Sequence, residues 1–425
     1  MTATAKFDIS AAGAAEMDAR DPLASFRGRF HIPSAPDGGQ AVYFCGHSLG
    51  LQPKKVREYM EQELRDWEAL AVEAHFHGRN PWMPYHRLLT GNIAQMVGAL
   101  PIEVVVMNTL TVNLHLMMIS FYRPTAQRYK IVIEGDAFPS DRYAVKSQLR
   151  YHGLDPATAL IELRPRTSES TIHQEDIESV IEREGPAVAL VMLGGVNYAT
   201  GQAFDMQAIT RAGHAQGCIV AFDLAHAAGN TPLRLHDWDV DFAVWCNYKY
   251  LNGGPGCVAG CFVHERHALD WDRPRFAGWW GHDQESRFLM GPHFQPMPGA
   301  DGWQLSNPSI MSMAPLRASL EIFAAAGMRQ LREKSESLTS YLEFLLDQHA
   351  SADITVLTPR EPDRRGAQLS IRIHHGGRSV CDRLIGHGAV CDWREPDILR
   401  VAPVPLYNTY RDVHRFVDRF FAALS

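Results

Sequence analysis

The chain has 425 residues, 46 % of them apolar and 21 % charged, with a formal net charge of −7. That length exceeds one ordinary hydrophobic core, so two domains are expected, and the apolar share gives both enough to bury. No long basic or acidic block runs through it, which argues against a nucleic-acid or membrane surface and leaves small molecules as the expected partners.

The cysteines (Cys45, Cys218, Cys246, Cys257, Cys261, Cys381, Cys391) sit mostly inside apolar runs without regular spacing. This is the pattern of reduced, buried thiols rather than of a disulfide framework. The opening stretch MTATAKFDISAAGAAEMDAR carries acidic residues and lacks the apolar centre of a signal peptide. No uncharged apolar run reaches membrane-spanning length, so a cytoplasmic protein is expected.

In chain order, residues 1–40 read as a loosely packed arm with one short helix. AVYFCGHSLGLQP then places Ser48 on a tight loop between Gly46 and Gly50, where a turn serine or helix cap is the ordinary role. Lys54 to Ala74 interleaves apolar and charged residues at helical spacing, as an amphipathic surface helix does. It stops at HFHGRNPWMPYH, whose His75, His77 and His86 have no carboxylate or cysteine at ligand spacing; a loop lining a pocket is expected there, and no metal. VHERH, at Val263 to His267, has its histidines three apart and misses the zinc-protease pattern by one residue. Leu88 to Leu100 resumes a helix that ends before Pro101.

Strands are expected at Val104–Met107, Lys130–Glu134, Ala187–Leu193, Ile219–Phe222, Phe242–Trp245 and Cys257–Val263. Helical patterns fall between them at Val112–Phe121, Ser140–Tyr151 and Met206–Gln216. Continuous apolar strands alternating with helices predict an α/β domain around a mainly parallel sheet covered on both faces. Gly-, Pro- and Trp-rich sequence from Pro274 to Pro308 reads as functional or interfacial. Helices at Met313–Ala325 and Met328–His349, a strand at Gln368–Ile373 and a closing strand, turn and helix predict a smaller α+β domain.

Three features carry chemistry. Val244 to Gly256, VWCNYKYLNGGPG, sets Lys249 at the end of an apolar strand and the mouth of a Gly-rich loop. Cys218 to Asn230, CIVAFDLAHAAGN, ends a buried strand in Asp223, with His226 three positions on; the carboxyl ends of such strands face the ligand crevice of open α/β sheets. At Thr109 to Asn113 a strand turns into an apolar helix whose free N–H groups could cradle a phosphate. An amine, a carboxylate for a ring nitrogen and a phosphate cradle together suit pyridoxal phosphate.

The motifs NTLTVNLH, GDAFPSD, FDLAHAAGN, NYKYLNGGPG, GWWGH, SNP and RVAPVPLYN, spread over nearly the whole chain, resemble those of the kynureninases. These are fold type I pyridoxal-phosphate enzymes of the aspartate aminotransferase superfamily. The resemblance implies a mainly parallel seven-stranded sheet domain at residues 41–310 and a small C-terminal domain at 311–425, with the arm of residues 1–40 packed on the latter. It implies hydrolysis of the Cβ–Cγ bond of L-kynurenine or 3-hydroxy-L-kynurenine, in tryptophan breakdown or NAD precursor synthesis.

The resemblance also assigns roles. Lys249 would form the Schiff base with the cofactor and move protons, Asp223 would keep the ring nitrogen protonated, and Tyr248 would grip the phosphate and exchange a proton. Leu110 and Thr111 would hold the phosphate, Phe138, Pro139, Ser140 and Asp141 would stack on and orient the ring, and His226 would be a cofactor neighbour. Where some members place a serine, this chain has Gly194-Gly195-Val196, leaving Gly194 as a cofactor contact without a hydroxyl. Trp279 and Asn307 would reach across a homodimer interface.

An α-carboxylate calls for a bidentate arginine. The residues alone offer Arg372 and Arg400; the resemblance selects Arg400, and puts Ser48, His75 and Asn307 near the aryl end of the substrate. The alternatives are another fold type I enzyme, such as an aminotransferase or a cysteine desulfurase, and a cofactor-binding protein without turnover. The desulfurase would need a nucleophilic cysteine on a mobile polar loop, which no cysteine here matches.

Overall fold

The structure is a computed structural model and describes residues 7–349 and 351–425. After a first short strand, β1 (Val42–Tyr43), the chain lays down β2 (Val104–Met107), β3 (Lys130–Glu134), β4 (Leu160–Leu163), β5 (Val188–Gly194), β6 (Ile219–Asp223), β7 (Phe242–Trp245) and β8 (Ala259–Val263). These last seven form one sheet in the order β2-β8-β7-β6-β5-β3-β4. Strands β3 to β7 run parallel, and β8 is antiparallel to both β7 and β2.

The central strands are apolar along most of their length because helices cover both faces. Helix Leu110–Phe121, apolar on nearly every side, buries Leu114, Met117, Met118 and Phe121 against one face. The other face meets helices Arg87–Val97, Met206–Ala215 and Ile310–Ala326 in a larger core. Each large apolar side chain removed from water in this way contributes about 1.5–3 kcal/mol. The sequence reading found six of the seven strands. It missed β4, an edge strand whose LIEL buries only its last residue and so lacks the apolar run that marks the others.

A second core lies under the four-stranded antiparallel sheet of β9 (Ile354–Val356), β10 (Leu369–Ile373), β12 (Asp392–Arg394) and β13 (Ile398–Val401), in the order β12-β13-β10-β9. Helices Met328–Gln348, Arg378–Gly386 and Tyr410–Leu424 close it. The last of these starts with a reciprocal Thr409/Asp412 capping box, which satisfies two otherwise free backbone donors.

Packing crosses two of the expected boundaries. Strand β1 pairs in parallel with β11 (Ala389–Val390), and Phe44 sits in the second core, so this stretch belongs with the small domain rather than with 41–310. Helix Ile310–Ala326 puts Met313, Leu316, Leu320 and Phe323 into the first core, which carries the seam from 310 to Gly327, where φ is 76°. A helix apolar on most sides says that it is buried, not in which core. The arm is also tighter than expected: helix Ala11–Arg20 packs on Tyr410–Leu424, while Phe26 and Phe30 enter the first core.

Candidate active site

The parallel strands β3, β5, β6 and β7 end at one crevice, beside which Leu357, Arg372 and Ile398 of the small domain line an adjoining cleft. Beyond β7, Asn247 donates from Nδ2 to the Val258 carbonyl (2.7 Å) and accepts the Gly253 N–H (2.8 Å), pinning the loop that carries Lys249. Gly50 packs against that loop, its N–H bonding the Tyr248 carbonyl at 2.8 Å. A Cβ at Gly50 would lie 2.3 Å from the Lys249 carbonyl, so no larger residue fits. Held from both sides, Lys249 places Nζ 3.1 Å from His226 Nε2. Burial, and then the charges of Lys249 and Arg400, push the His226 imidazole well below its usual range. Neutral His226 therefore accepts from the amine, and its Nδ1 has no partner among the described residues.

Facing the amine are three buried acids. Glu134 and Asp223 end β3 and β6, and Asp141 lies in the first turn of helix Pro139–Tyr151. Asp223 Oδ1 accepts the Ala225 N–H at 2.7 Å, while Asp141 Oδ1 has no partner among the described residues. Burial raises Asp223, and burial together with the neighbouring Asp223 charge raises Asp141 well above the carboxylate range. Burial likewise lifts Glu134 to about 7. Three buried carboxyls around one amine make a pocket that favours a further cation.

A third side of the crevice suits an anion. Asn108, at φ 48°, turns β2 into helix Leu110–Phe121; it donates to Asn113 Oδ1 (3.0 Å), and Asn113 donates to the Met107 carbonyl (2.9 Å). Thr109 is extended and its side chain does not cap the helix, so the N–H groups of the first turn are free to meet a ligand. Thr111 Oγ1 and Ser140 Oγ, from the first turns of two helices, lie 2.8 Å apart on this side.

These groups line a cavity of about 250 Å³. Every residue expected around the cofactor borders it except Pro139, Trp279 and Asn307. Pro139 borders the adjoining cleft of about 670 Å³, which shares Glu134 and Tyr198 with the cavity. Trp279 and Asn307 are exposed instead: Trp279 packs against Phe288 at 5.5 Å between ring centroids. His75 also lies outside, edge-on to Trp82, and Ser48 is half-buried in its turn. In the single chain these four do not join Lys249.

Glu134, Val196, Tyr198 and Ala225 line the cavity unforeseen. Glu134 carried a signal: like Asp223, it is a carboxylate at the carboxyl end of a predicted strand. Tyr198 lies in a loop and carried none.

Of the two arginines, Arg372 pairs with Asp397 at 3.2 Å and borders the outer cleft. Arg400 is fully buried; its Nη1 donates to the carbonyl of Tyr198 (2.8 Å) and its Nη2 to Asp392.

Residues 331–420 match the family described as Kynureninase C-terminal domain. Over 423 residues the chain is 69 % identical to a kynureninase of Koribacter versatilis (strain Ellin345), a match covering 100 % of both chains. The chain belongs to the kynureninase family. A kynureninase of Myxococcus xanthus (strain DK1622) is 58 % identical over 417 residues and 98 % of each chain. Among solved structures, a cysteine desulfurase from Thermococcus onnurineus NA1 superposes with a TM-score of 0.74 at 18 % identity, over 91 % of this chain and 97 % of the other. A C-DES variant with glycine covalently linked to its PLP cofactor gives 0.75 at 16 %, over 93 % and 98 %. At such identities the likeness shows the fold alone, which is that of the type I enzymes. The kynureninase match reaches the whole chain, whereas the desulfurase alternative rests on architecture; all seven cysteines are buried, unlike a sulfur-accepting nucleophile on an exposed loop.

Proposed function

We propose that the protein hydrolyses the Cβ–Cγ bond of L-kynurenine or 3-hydroxy-L-kynurenine, with one water giving anthranilate or 3-hydroxyanthranilate and L-alanine. The observation that carries this reading is the Lys249 amine, set against neutral His226 and facing buried Asp223, in a chain alike to a kynureninase over its full length. The cofactor is pyridoxal 5'-phosphate, and the donor set suits it: an amine for its aldehyde, surplus buried acid for its cationic ring, and helix N-termini with two hydroxyls for its phosphate. When bound, it supplies an electron-withdrawing ring that weakens the bonds at the substrate α-carbon.

Asp223 would hold the proton of the ring nitrogen, through a charge-assisted hydrogen bond of the kind worth about 1.5–3 kcal/mol. The unpartnered oxygen of Asp141 is a second acceptor on the same side. Leu110 and Thr111, with Ser140 and the Tyr248 hydroxyl, would hold the phosphate. Phe138 and Gly194 would border the ring, and Pro139 fixes the turn on which Phe138 stands. Lys249 Nζ moves the proton at the substrate α-carbon, and His226 Nε2 is the adjacent base that can share it. Burial pushes the Tyr248 hydroxyl above its ordinary range, so it keeps its proton at neutral pH and can give it to a carbon or a phosphate oxygen.

Arg400 binds the α-carboxylate. Ser48, whose loop is tied to the Tyr248 carbonyl through Gly50, stands toward the aryl end. Trp279 and Asn307 are exposed and His75 is half-buried outside the cavity, and in this reading the three complete the site of a second copy in a homodimer. No helix among the described residues is long and apolar enough to cross a membrane. The role assigned in this reading is a cytoplasmic one, in tryptophan breakdown or NAD precursor synthesis.

The test is parallel turnover of kynurenine and 3-hydroxykynurenine by wild type and Lys249→Ala. Wild type is expected to release an anthranilate from at least one of them, and Lys249→Ala to lose more than about a thousandfold in kcat together with the visible absorption of the lysine-bound cofactor. Turnover by the variant at the wild-type rate would sink the reading.

A further inference from the structure

Strands β12 and β13 set Asp392 directly opposite Arg400 in antiparallel register. The Asp392 carboxylate accepts from Arg400 Nη2 and from Arg394 Nη2 (3.0 Å), and His47 Nε2 lies 3.5 Å from the same oxygen. Burial, and then the nearby Arg400, hold His47 at about 4, so it is neutral at physiological pH. The cluster thus contains two guanidinium charges against one carboxylate and keeps one positive charge. Two of the five N–H bonds of Arg400 are used, one on Asp392 and one on the Tyr198 carbonyl. The buried Nε atoms of Arg400 and Arg394 have no partner among the described residues. A buried cation with donors to spare, behind a tyrosine that lines the Lys249 cavity, is built to receive an anion.

We propose that Asp392 is a positioning residue for the substrate carboxylate: it tethers Arg400 by one edge of its guanidinium, with Arg394 as a second tethered cation, so that the remaining N–H groups of Arg400 meet the carboxylate in a fixed fork. This rests on the reading of Arg400 as the carboxylate-binding cation. Tethering wins over the alternative, in which Asp392 merely competes with the substrate for Arg400, because the tether leaves donors unused and the charge unbalanced. A competitor would use up both. A guanidinium on a three-methylene stem keeps a bidentate fork only when something fixes its plane.

The test uses the cofactor-loaded enzyme and four variants. Asp392→Ala is expected to raise KM for kynurenine about tenfold with kcat within about threefold, and to weaken inhibition by L-alanine while leaving that by anthranilate unchanged. Asp392→Asn keeps an acceptor oxygen in place and is expected to restore KM to within about threefold of wild type. Asp392→Glu keeps the charge but moves it by a methylene, and is expected to raise KM about tenfold; it decides the matter should the alanine variant not fold. Arg400→Lys separates the two readings. If it leaves KM unchanged, the carboxylate assignment fails and takes the proposal with it. If it raises KM while Asp392→Ala and Asp392→Glu leave KM within twofold, only the tether is overturned. A fall in kcat at constant KM in the Asp392 variants would overturn it as well.

Discussion

His47 and Glu134 show how the same burial acts with opposite sign on stability. His47 is neutral when folded, with its pKa moved from 6.5 to about 4 by burial and then by the Arg400 charge. Between those values the unfolded chain binds a proton there that the folded chain refuses, so stability falls as pH drops from 6.5 toward 4. A displacement of that size corresponds to about 3 kcal/mol. Glu134 moves the other way, from 4.5 to about 7, and takes up its proton when folded, so its contribution is present below pH 4.5 and is lost as pH rises through 7. The two slopes oppose each other over much of the acid range, and a single-site comparison exposes one of them. His47→Asn should lack the His47 loss: chemical denaturation at pH 6.5, 5.5 and 4.5 is expected to show wild type losing about 2 kcal/mol more than the variant over that range. Parallel curves for the two proteins would show that His47 is not held neutral by the fold. The role of His47 could not be read from sequence, since its environment comes from β12 and β13, near the far end of the chain.

What the sequence did disclose is a property of elements. Lys249 and Asp223 stand at the ends of apolar strands, and in a parallel sheet all such ends meet along one edge, so local patterns sufficed to bring them together. The same logic placed a strand-to-helix turn within Thr109 to Asn113 but not the Thr111–Ser140 contact, which depends on how two helices lie side by side. Residues on irregular loops, such as Tyr198, had no periodic signal to follow, and the short edge strand β4 had too little burial to leave one. The helix start lends itself to a direct measurement. Thr111→Val removes one hydroxyl from the proposed phosphate cradle while leaving the N–H groups and the helix dipole in place. Losing a hydrogen bond to a charged group costs about 1.5–3 kcal/mol, so titration of the cofactor-free variant with pyridoxal phosphate is expected to show about 10–100-fold weaker binding, with kcat at saturating cofactor within about threefold of wild type. Unaltered affinity would place the phosphate elsewhere.

At the scale of the whole molecule the expected site residues divide into two sets, those around Lys249 and those on an exposed face. Phe76 meets Phe288 at 6.3 Å between centroids and Phe288 meets Trp279 at 5.5 Å, which links the segment carrying His75 to the one carrying Trp279. The Trp280 backbone N–H bonds the Leu305 carbonyl (3.1 Å), which draws in the segment leading to Asn307. Leu289 and Met290, beside Phe288, are 79 % and 69 % exposed. A contiguous apolar surface of this kind on a folded chain marks an interaction site. That residues expected to contact cofactor or substrate gather on it, away from the chain's own Lys249, is the reason for reading the face as one half of a two-fold interface. Phe288→Glu should then put a buried charge at that interface on each copy, at a cost neither can neutralise. Light scattering of the cofactor-loaded variant is expected to give the monomer mass where wild type gives the dimer mass, with turnover reduced more than about tenfold because Trp279 and Asn307 no longer reach a neighbouring site. A variant that keeps both the wild-type mass and the wild-type rate would free this surface for some other partner and leave each chain to build its aryl pocket alone.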